Sequence, residues 1–556
     1  MPGNMEAYGN IGQKDLSQIL QELTSARIVG VDTETISLEN KQMIGLAIAP
    51  NTDYAVWFPE NSSVLYIALN ILRNPTITKV FHNAKFDYDV LAPYGIDESN
   101  FEDTEILAYT LNLPQRLYNL SMHLGKVVEL RFTEFAIAKG ETMMDTWNKD
   151  PDFVLQKCCV DAKLTLWSWY ELHSPGHAVP GAVYNIPESY YIDHDIVHIL
   201  RHMEQVGVKL NQESVNEFYD ELVDQTGYLR QLIQTKGCDP NSNMQVGVVL
   251  AQRGWKLPYT KTRKQLKVDE KTIRDIQDPL AQSVLIYREK AKLKSTYAFP
   301  LLGLERAYTH YNNTRVITGR LSSSDPINMQ NIPGYFRVVF LADTNFFSYD
   351  ASQIELRTIA YLAQDKIMMA AFRNGADIHK ETMIRLGITD RRVAKVLNFA
   401  VAYLGEEETI IENAREANIR LSPQEATDFR NRYFQTYTGI RDYVYSQREQ
   451  IIKYGYVTTL FGRVRKADPI RMANPHSREA VIRELFNMPV QGTAAEVVKK
   501  MMARAAKFDL RIQVHDEMVY DGSCPPPSMF TGLAPFDTPL KLSVGKSWGD
   551  LVEIKV

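Results

Sequence analysis

Three times in this chain a run of apolar, often β-branched residues that reads as a strand closes on carboxylates. IVGVDTET (28–35) carries Asp32 and Glu34, FFSYD (346–350) ends in Asp350, and RIQVHDEMVYDG (511–522) alternates on both sides of Asp516 and Glu517. Strands of this kind require sheets whose ends present acids. The first pattern lies far ahead of the other two. A single hydrophobic core rarely grows beyond roughly 250–300 residues, so a chain of 556 residues must divide these strands between separate units.

The surrounding patterns say where the division falls. ARIVGVDTET, MIGLAIAP and DYAVWFP (within 26–59) read as successive strands. Helical patterns follow at Thr104–Leu111 and Asp161–Leu172, which together make an α/β unit. HSPGHAVPGAVYNIPES (173–189) is broken by proline and glycine and reads as a linker. Residues 190–300 are mostly helical, RVVFLADTNFFSYDASQIELRTIAYLA (337–363) reads as a strand pair entering a helix, and 366–452 is a succession of helices. RIQVHDEMVYDG has the pattern of a hairpin with an acidic tip.

In the second half, Asp350 and Asp516 each read alone as turn formers. On neighbouring strands they would repel one another unless a cation lay between them. Mg²⁺ takes oxygen ligands of this type together with substrate phosphates, and two such ions about 3.5–4 Å apart can clamp an in-line phosphoryl transfer. In DRRVAKVLNFAVAYLG (390–405), Arg391, Lys395, Phe399 and Tyr403 recur every four residues, with Asp390 or Thr389 able to cap the start and Gly405 the end. Two cations followed by two aromatics suit a triphosphate at one end and a sugar and base at the other. A plain amphipathic helix has the same spacing. From Arg253 to Lys294, twelve Lys/Arg stand against five Asp/Glu, which suits a phosphate backbone or a solvated helical face.

These segments resemble DNA polymerase family A. TGRLSSSDPINMQNIP (318–333) looks like its signature ahead of the palm, DASQIELR (350–357) like its motif A, RRVAKVLNFAVAY (391–403) like its fingers helix and QVHDE (513–517) like its motif C. NMPVQGTAAE (487–496) and YREKAKLKSTY (287–297) are similar to two further family segments. The resemblance implies an α+β multidomain fold, a right hand of palm, thumb and fingers preceded by an α/β ribonuclease H-like exonuclease domain. The expected bounds are 1–188 for the exonuclease, 189–300 for the thumb, 301–365 and 455–556 for the palm and 366–454 for the fingers.

The resemblance also implies roles. Asp350 and Asp516 would hold two Mg²⁺ ions, or Mn²⁺ in their place, with the Ala351 carbonyl assisting and Glu517 in support. Arg391 and Lys395 would bind the triphosphate, Lys395 protonating the pyrophosphate, with His379 helping on the phosphates. Phe399 and Tyr403 would flank the nascent pair. Gln353 and Glu355 would face the incoming deoxynucleoside triphosphate, Glu355 blocking a ribose 2′-hydroxyl. Arg320, Arg483, Asn487, Gln491 and His515 would contact primer-template DNA, and Lys292 and Lys294 would grip it from the thumb. Two departures stand out: Ala400 replaces a usual Gly after the helix Phe, and CPPP (524–527) falls where the family usually has a helix.

In the first half, VDTET places Asp32 and Glu34 on one face of a strand, FHNAKFD (81–87) offers Asp87, and VDAKLTL (160–166) offers Asp161 at the start of a helix. FEDTEILAYTLN (101–112) fits the same pattern. Together they resemble the DEDD-type 3′→5′ exonuclease, which implies two Mg²⁺ ions on Asp32, Glu34, Asp87 and Asp161. Lys157 stands where that family has the Tyr or His that orients water. A charged lysine donates hydrogen bonds but cannot accept them, so the expectation is a weakened proofreading activity.

Other readings compete. A lone exonuclease with a DNA-holding second half, or a non-catalytic clamp, leaves Asp350, Asp516, Arg391 and Lys395 without purpose. An RNA polymerase or reverse transcriptase sits less well with Glu355. The net charge of −5 does not exclude nucleic acid, because local clusters decide affinity. Four cysteines without metal-ligand spacing suit a reducing, intracellular setting, the cytoplasm of a bacterial or phage-infected cell or an organelle. No signal peptide, membrane span or 5′-nuclease unit is expected, and a monomer is.

Overall fold

The computed structural model describes residues 6–10, 12, 14–173, 186–260, 265–402 and 407–554. Most of the expected linker, and Tyr403 and Gly405, lie outside the described residues.

The N-terminal unit is built on a six-stranded mixed sheet. Its strands are β1 (Glu6–Gly9), β2 (Ile28–Thr35), β3 (Met43–Ala49), β4 (Tyr54–Pro59), β5 (Thr78–Phe81) and β6 (Phe101–Asp103), in the order β1-β4-β3-β2-β5-β6. β2 is central, antiparallel to β3 and parallel to β5. Helices α1 (Ala84–Leu91), α2 (Thr104–Thr110), α3 (Leu117–His123) and α4 (Pro151–His173) surround it. Gly30 lets α4 lie directly on β2: a Cβ there would stand 2.2 Å from the Ala162 carbonyl oxygen. That close approach sets Asp161 of α4 beside Asp32 and Glu34 of β2. Asp161 is therefore mid-helix, not at a helix start as its sequence suggested.

Helices α5 (Glu188–His194) and α6 (Val197–Val206) join the two halves. Although the sequence groups them with the thumb, their apolar faces lie in other cores. Tyr190 and Val197 pack into the N-terminal unit, and Ile192, Ile199, Leu200 and Met203 pack under the second sheet. Asp193 anchors the joint, fully buried between Lys499 Nζ at 2.5 Å and Arg463 Nη2 at 2.7 Å. The Arg463 guanidinium also pairs with Glu496 at 3.1 Å and lies over the Tyr109 ring of α2 at 4.9 Å. Lys85 of α1 reaches across to Glu204 and to the Tyr311 carbonyl, both at 2.5 Å.

The thumb region contains α7 (Gln212–Gln234) packed along α8 (Pro279–Lys292), around a small core of its own that includes Ile233, Val246 and Val284. A π-helical turn, Leu293–Ala298, leads back to the sheet. The second sheet comprises β7 (Val208–Leu210), β8 (Phe340–Ala351), β9 (Asp509–Val514), β10 (Glu517–Asp521), β11 (Leu540–Ser547) and β12 (Val552–Ile554), with the two-residue strand Arg306–Ala307 paired to β7. Its main path runs β9-β10-β8-β11-β12, with β7 on the end of β8. The expected strand pair at 337–350 is one strand. Its register shifts between Leu341 and Phe346, where Asp521 accepts from the backbone N–H of Asp343 (2.6 Å) and Thr344 (3.1 Å), so the turn-like DTN is a bulge.

The fingers region is helical. α9 (Ile354–Leu362), α10 (Ile378–Arg385) and α11 (Arg391–Ala402) share a core with Tyr433 and Tyr437. The 30-residue α12 (Pro475–Arg504) serves two cores: Ile482, Phe486 and Val490 pack with the fingers, Ala494, Val498 and Met502 with the sheet. Pro489 stands just ahead of the changeover and Gly492 within it, and a Cβ on Gly492 would meet Thr459 Cγ2 at 2.6 Å and the Thr318 carbonyl at 3.0 Å.

Candidate active sites

In the second sheet, antiparallel pairing sets Asp350 opposite Glu517, and the Ala351 N–H donates to the Asp516 carbonyl at 3.1 Å. Asp350 and Asp516 thus stand side by side at the ends of β8 and of the β9–β10 hairpin. Asp350 is exposed as a residue, but loss of water around its carboxyl where it meets the hairpin tip pushes its pKa up, and the charges of Asp516 and Glu517 push it further, with Lys541 opposing. Burial also raises Asp516, against the pull of Arg320. Two residues flanking the pair have left-handed backbones, Gln353 at φ 57° and His515 at φ 54°. For non-glycine residues this conformation is uncommon and concentrates at functional sites.

Glu517 is fully engaged. It accepts from Ser348 Oγ at 2.7 Å, Trp548 Nε1 at 3.2 Å and Arg337 Nη1 at 3.2 Å, while the Arg337 guanidinium stacks on Trp548 at 4.0 Å. Glu355 is held by Arg320, so two residues expected to face different ligands face each other. Arg320 and His515 line one small cleft with Gln330 and Gln513. Gln513 donates to the His515 carbonyl at 2.6 Å and accepts from Gln330 Nε2 at 3.1 Å, fixing the hairpin tip.

The cationic stripe of α11 is exposed: Arg391 bonds Asp377 at 2.7 Å, and Lys395 stands open to solvent. His379 is buried, its Nδ1 bonded to Asn398 Nδ2 at 2.9 Å and its ring 6.0 Å from that of Phe399. Burial pulls its pKa down to about 4, helped by the charges of Arg391 and Lys395 and opposed by Asp377, so the ring is neutral at neutral pH. α9, which carries Glu355, packs against both α11 and α12. Arg483, Asn487 and Gln491 recur every four residues along the less buried stripe of α12. Lys292 and Lys294 stand apart from both acidic groups on the thumb. Lys292 is exposed, and Lys294 donates to Thr226 Oγ1 at 3.1 Å. Of the twelve basic residues there, several are already paired, among them Arg253 with Asp278 and Lys271 with Glu412.

The N-terminal cluster differs in kind. Asp32, Glu34, Asp87 and Asp161 converge, and Lys157 extends its ammonium among them, 2.7 Å from Glu34 Oε1 and 2.7 Å from Asp161 Oδ2. Tyr118 of α3 donates to the other Asp161 oxygen at 2.5 Å, and Thr33 donates to Asp87 at 2.7 Å. Burial raises Glu34 and raises Asp32 strongly, neighbouring carboxylates adding to both, and burial pushes Asp87 up to about 8. Burial opposes the charge on Lys157, but Asp161, Glu34 and Asp32 outweigh it and hold the ammonium well above the ordinary lysine range. Asp32 Oδ2 is buried and has no hydrogen-bond partner among the described residues. Ligand atoms of Asp32, Glu34 and Cys158 lie within 4.8 Å of one another, though burial keeps the Cys158 thiol protonated. The carboxylate oxygens suit a hard divalent cation.

Sequence reasoning passed over Tyr118, Thr33 and Asp103. The buried Asp103 carboxylate accepts from the N–H groups of Ala84 (2.7 Å), Glu105 (2.8 Å) and Ile106 (3.1 Å), so one acid starts both α1 and α2 and sets the helix that carries Asp87. Its D-T-E context is an N-cap signal that sequence alone offers.

Fold and sites define a class: a multidomain α+β chain in which a mixed-sheet unit with an acidic cluster precedes a palm, thumb and fingers. The family model for DNA polymerase family A matches residues 209–524, more than half of the chain, and the chain belongs to that family. The model described as 3′-5′ exonuclease matches residues 12–157. DNA polymerase I of Chloroflexus aurantiacus is 31% identical over 91% of this chain and 58% of its own length. The thermostable DNA polymerase I of Thermus aquaticus is 32% identical over 64% of this chain and 47% of its own. The chain thus spans little more than half the length of the curated relatives it matches. The POL domain of Pol1 from M. smegmatis, solved in complex with DNA primer-template and dNTP, shares the fold at a TM-score of 0.78 and 24% identity, covering 97% of this chain and 99% of that one.

Proposed function

We propose that the chain extends the 3′ end of a primer on a DNA template, consuming deoxynucleoside triphosphates and releasing pyrophosphate, while its N-terminal unit removes nucleotides from that end by hydrolysis. The observation that carries the reading is the meeting of Asp350 and Asp516 at the ends of adjacent strands, where the charge of Asp516 adds to the proton affinity of Asp350. When bound there, two Mg²⁺ ions (or Mn²⁺) would neutralise the developing charge on the attacking and leaving oxygens.

The chain's own residues position and neutralise. Asp350 and Asp516, with the Ala351 carbonyl, hold the cations, and Glu517, clamped by Arg337, Ser348 and Trp548, fixes the hairpin beside them. Arg391 and Lys395 bind the triphosphate as fork and point charge, Lys395 giving its proton to the departing pyrophosphate. Neutral His379 donates to a phosphate rather than adding charge. Phe399 and Tyr403 stack on the nascent pair, Gln353 and Glu355 line the sugar, and Glu355 excludes a 2′-hydroxyl. Arg320, Arg483, Asn487, Gln491 and His515 donate into the minor groove, whose acceptors are nearly sequence-independent. Lys292 and Lys294 hold duplex phosphates. In this scheme 301–365 and 455–556 are palm, 366–454 fingers and 189–300 thumb, and the chain works as an intracellular monomer. Among the described residues no helix is long and apolar enough to cross a membrane. Lys157 in the exonuclease unit weakens proofreading, since it cannot accept a hydrogen bond from water.

Primer extension with Mg²⁺, on matched and 3′-mismatched ends, tests both halves. A recessed DNA end that is not lengthened overturns the polymerase reading, and a mismatched end never shortened overturns the exonuclease reading.

A further inference from the structure

The Lys157 ammonium lies 2.7 Å from both Glu34 Oε1 and Asp161 Oδ2, with only 17% of its side chain exposed. Tyr118 occupies the remaining Asp161 oxygen. One edge of the acidic cluster, from Glu34 to Asp161, is therefore already supplied with a positive charge and hydrogen-bond donors. The opposite edge is not: Asp32 Oδ2 is buried without a partner among the described residues, and a Glu34 oxygen lies within 4.8 Å of an Asp32 oxygen. A divalent cation ligated on the Glu34–Asp161 edge would compete with the ammonium for the same oxygens and stand against its charge. One on the Asp32 edge satisfies an orphaned carboxylate oxygen and meets no fixed positive charge, the neutral Cys158 thiol being its neighbour there.

The geometry points to a one-ion site: Asp32 and Glu34, with Asp87 adjoining, hold a single divalent cation, and Lys157 is a tethered monovalent cation that takes the place of a second. This rests on the exonuclease reading of the N-terminal unit and narrows it, because that reading otherwise brings two ions to these four acids. It also assigns Lys157 a positioning role, keeping Glu34 and Asp161 together when the divalent ion is absent.

The test counts bound Mn²⁺ by electron paramagnetic resonance on the full chain carrying Asp350→Asn and Asp516→Asn, which silence the palm. One tight ion per chain is expected, lost on adding Asp32→Asn. Lys157→Gln, which keeps a donor but removes the charge, is expected to raise the count to two. It should also make the melting temperature fall further in EDTA than that of the Lys157 chain, which loses one ion rather than two, and recover with Mg²⁺. Two ions in the Lys157 chain, or none, overturn the inference, and that count needs no variant at position 157. If Lys157→Gln folds and still binds one ion, the claim that lysine excludes the second is overturned. Excision of a mismatched primer by the unmodified chain separates the failures. Excision with two ions bound overturns only the one-ion site, whereas no excision under Mg²⁺ or Mn²⁺ and no ion bound overturns the exonuclease reading as well.

Discussion

The two acidic sites of this chain solve the same electrostatic problem in opposite ways. In the N-terminal unit, four carboxylates are drawn into a largely buried cluster and a lysine from the helix that carries Asp161 is placed among them. In the palm, Asp350 is exposed and Asp516 half-buried, while the nearby arginines are committed elsewhere, Arg320 to Glu355 and Arg337 to Glu517. The first site is neutralised in part from within. The second waits for charge to arrive. Burying a carboxylate without a partner is costly, so a buried cluster tolerates a resident cation that an open one can dispense with, at the expense of a weaker demand for metal.

The sharpest way to break this comparison is to remove one palm acid. Asp516→Asn should lower primer extension by about a thousandfold or more and leave excision of a mismatched end intact. Equal loss of both would mean that the sites do not act separately. Next, Glu355→Ala should raise use of ribonucleotides relative to deoxynucleotides by about 10–100-fold in competitive incorporation, and should free Arg320. Unchanged selectivity would reduce Glu355 to a partner of that arginine. Third, Lys157→Tyr should raise mismatch excision about tenfold at constant extension rate, and an unchanged excision rate removes the idea that lysine restrains the site.

The smallest effect contrasts a charged lysine with a neutral histidine. His379 takes its proton near pH 6.5 when unfolded but only near 4 when folded. Its contribution to stability is intact above about pH 6.5 and is lost as pH falls toward 4, by about 2–3 kcal/mol at the low end. Urea unfolding near neutrality and at about pH 4.5 should show a shallower pH slope in His379→Gln, and identical slopes would refute a proton-free histidine.

What was legible in the sequence was whatever a single element displays. The strand-end acids, the hairpin tip and the every-fourth-residue stripe of α11 all depend on local periodicity, and the structure places the acids, the tip and Arg391, Lys395 and Phe399 of the stripe on those elements. The start of α4 was not legible, because half of that helix is buried on several faces and shows no one-sided stripe. Pro151 at its first position was the available cue. β8 read as two strands because DTN imitates a turn, and only the distant Asp521 reveals a bulge. Tyr118 acts through a partner far along the chain, so no window contains the evidence for it, and of Asp103 only the cap of α2 shows locally, not its hold on Ala84. The ammonium of Lys157 could be named as a departure from sequence, but its grip on both Glu34 and Asp161 depends on Gly30 letting α4 settle onto β2.

Because α12 contributes to two cores, the helical lobe and the sheet cannot change their relative angle by sliding past each other. Any swing has to be taken up inside that one rod, where Pro489 leaves the Leu485 carbonyl without its usual helical partner and Gly492 presses against Thr459 and Thr318. The pivot is thus written into a stretch of four residues, with Asn487 just ahead of it and Gln491 inside it, so a tilt of the lobe necessarily reorients the side chains that would lie along the duplex.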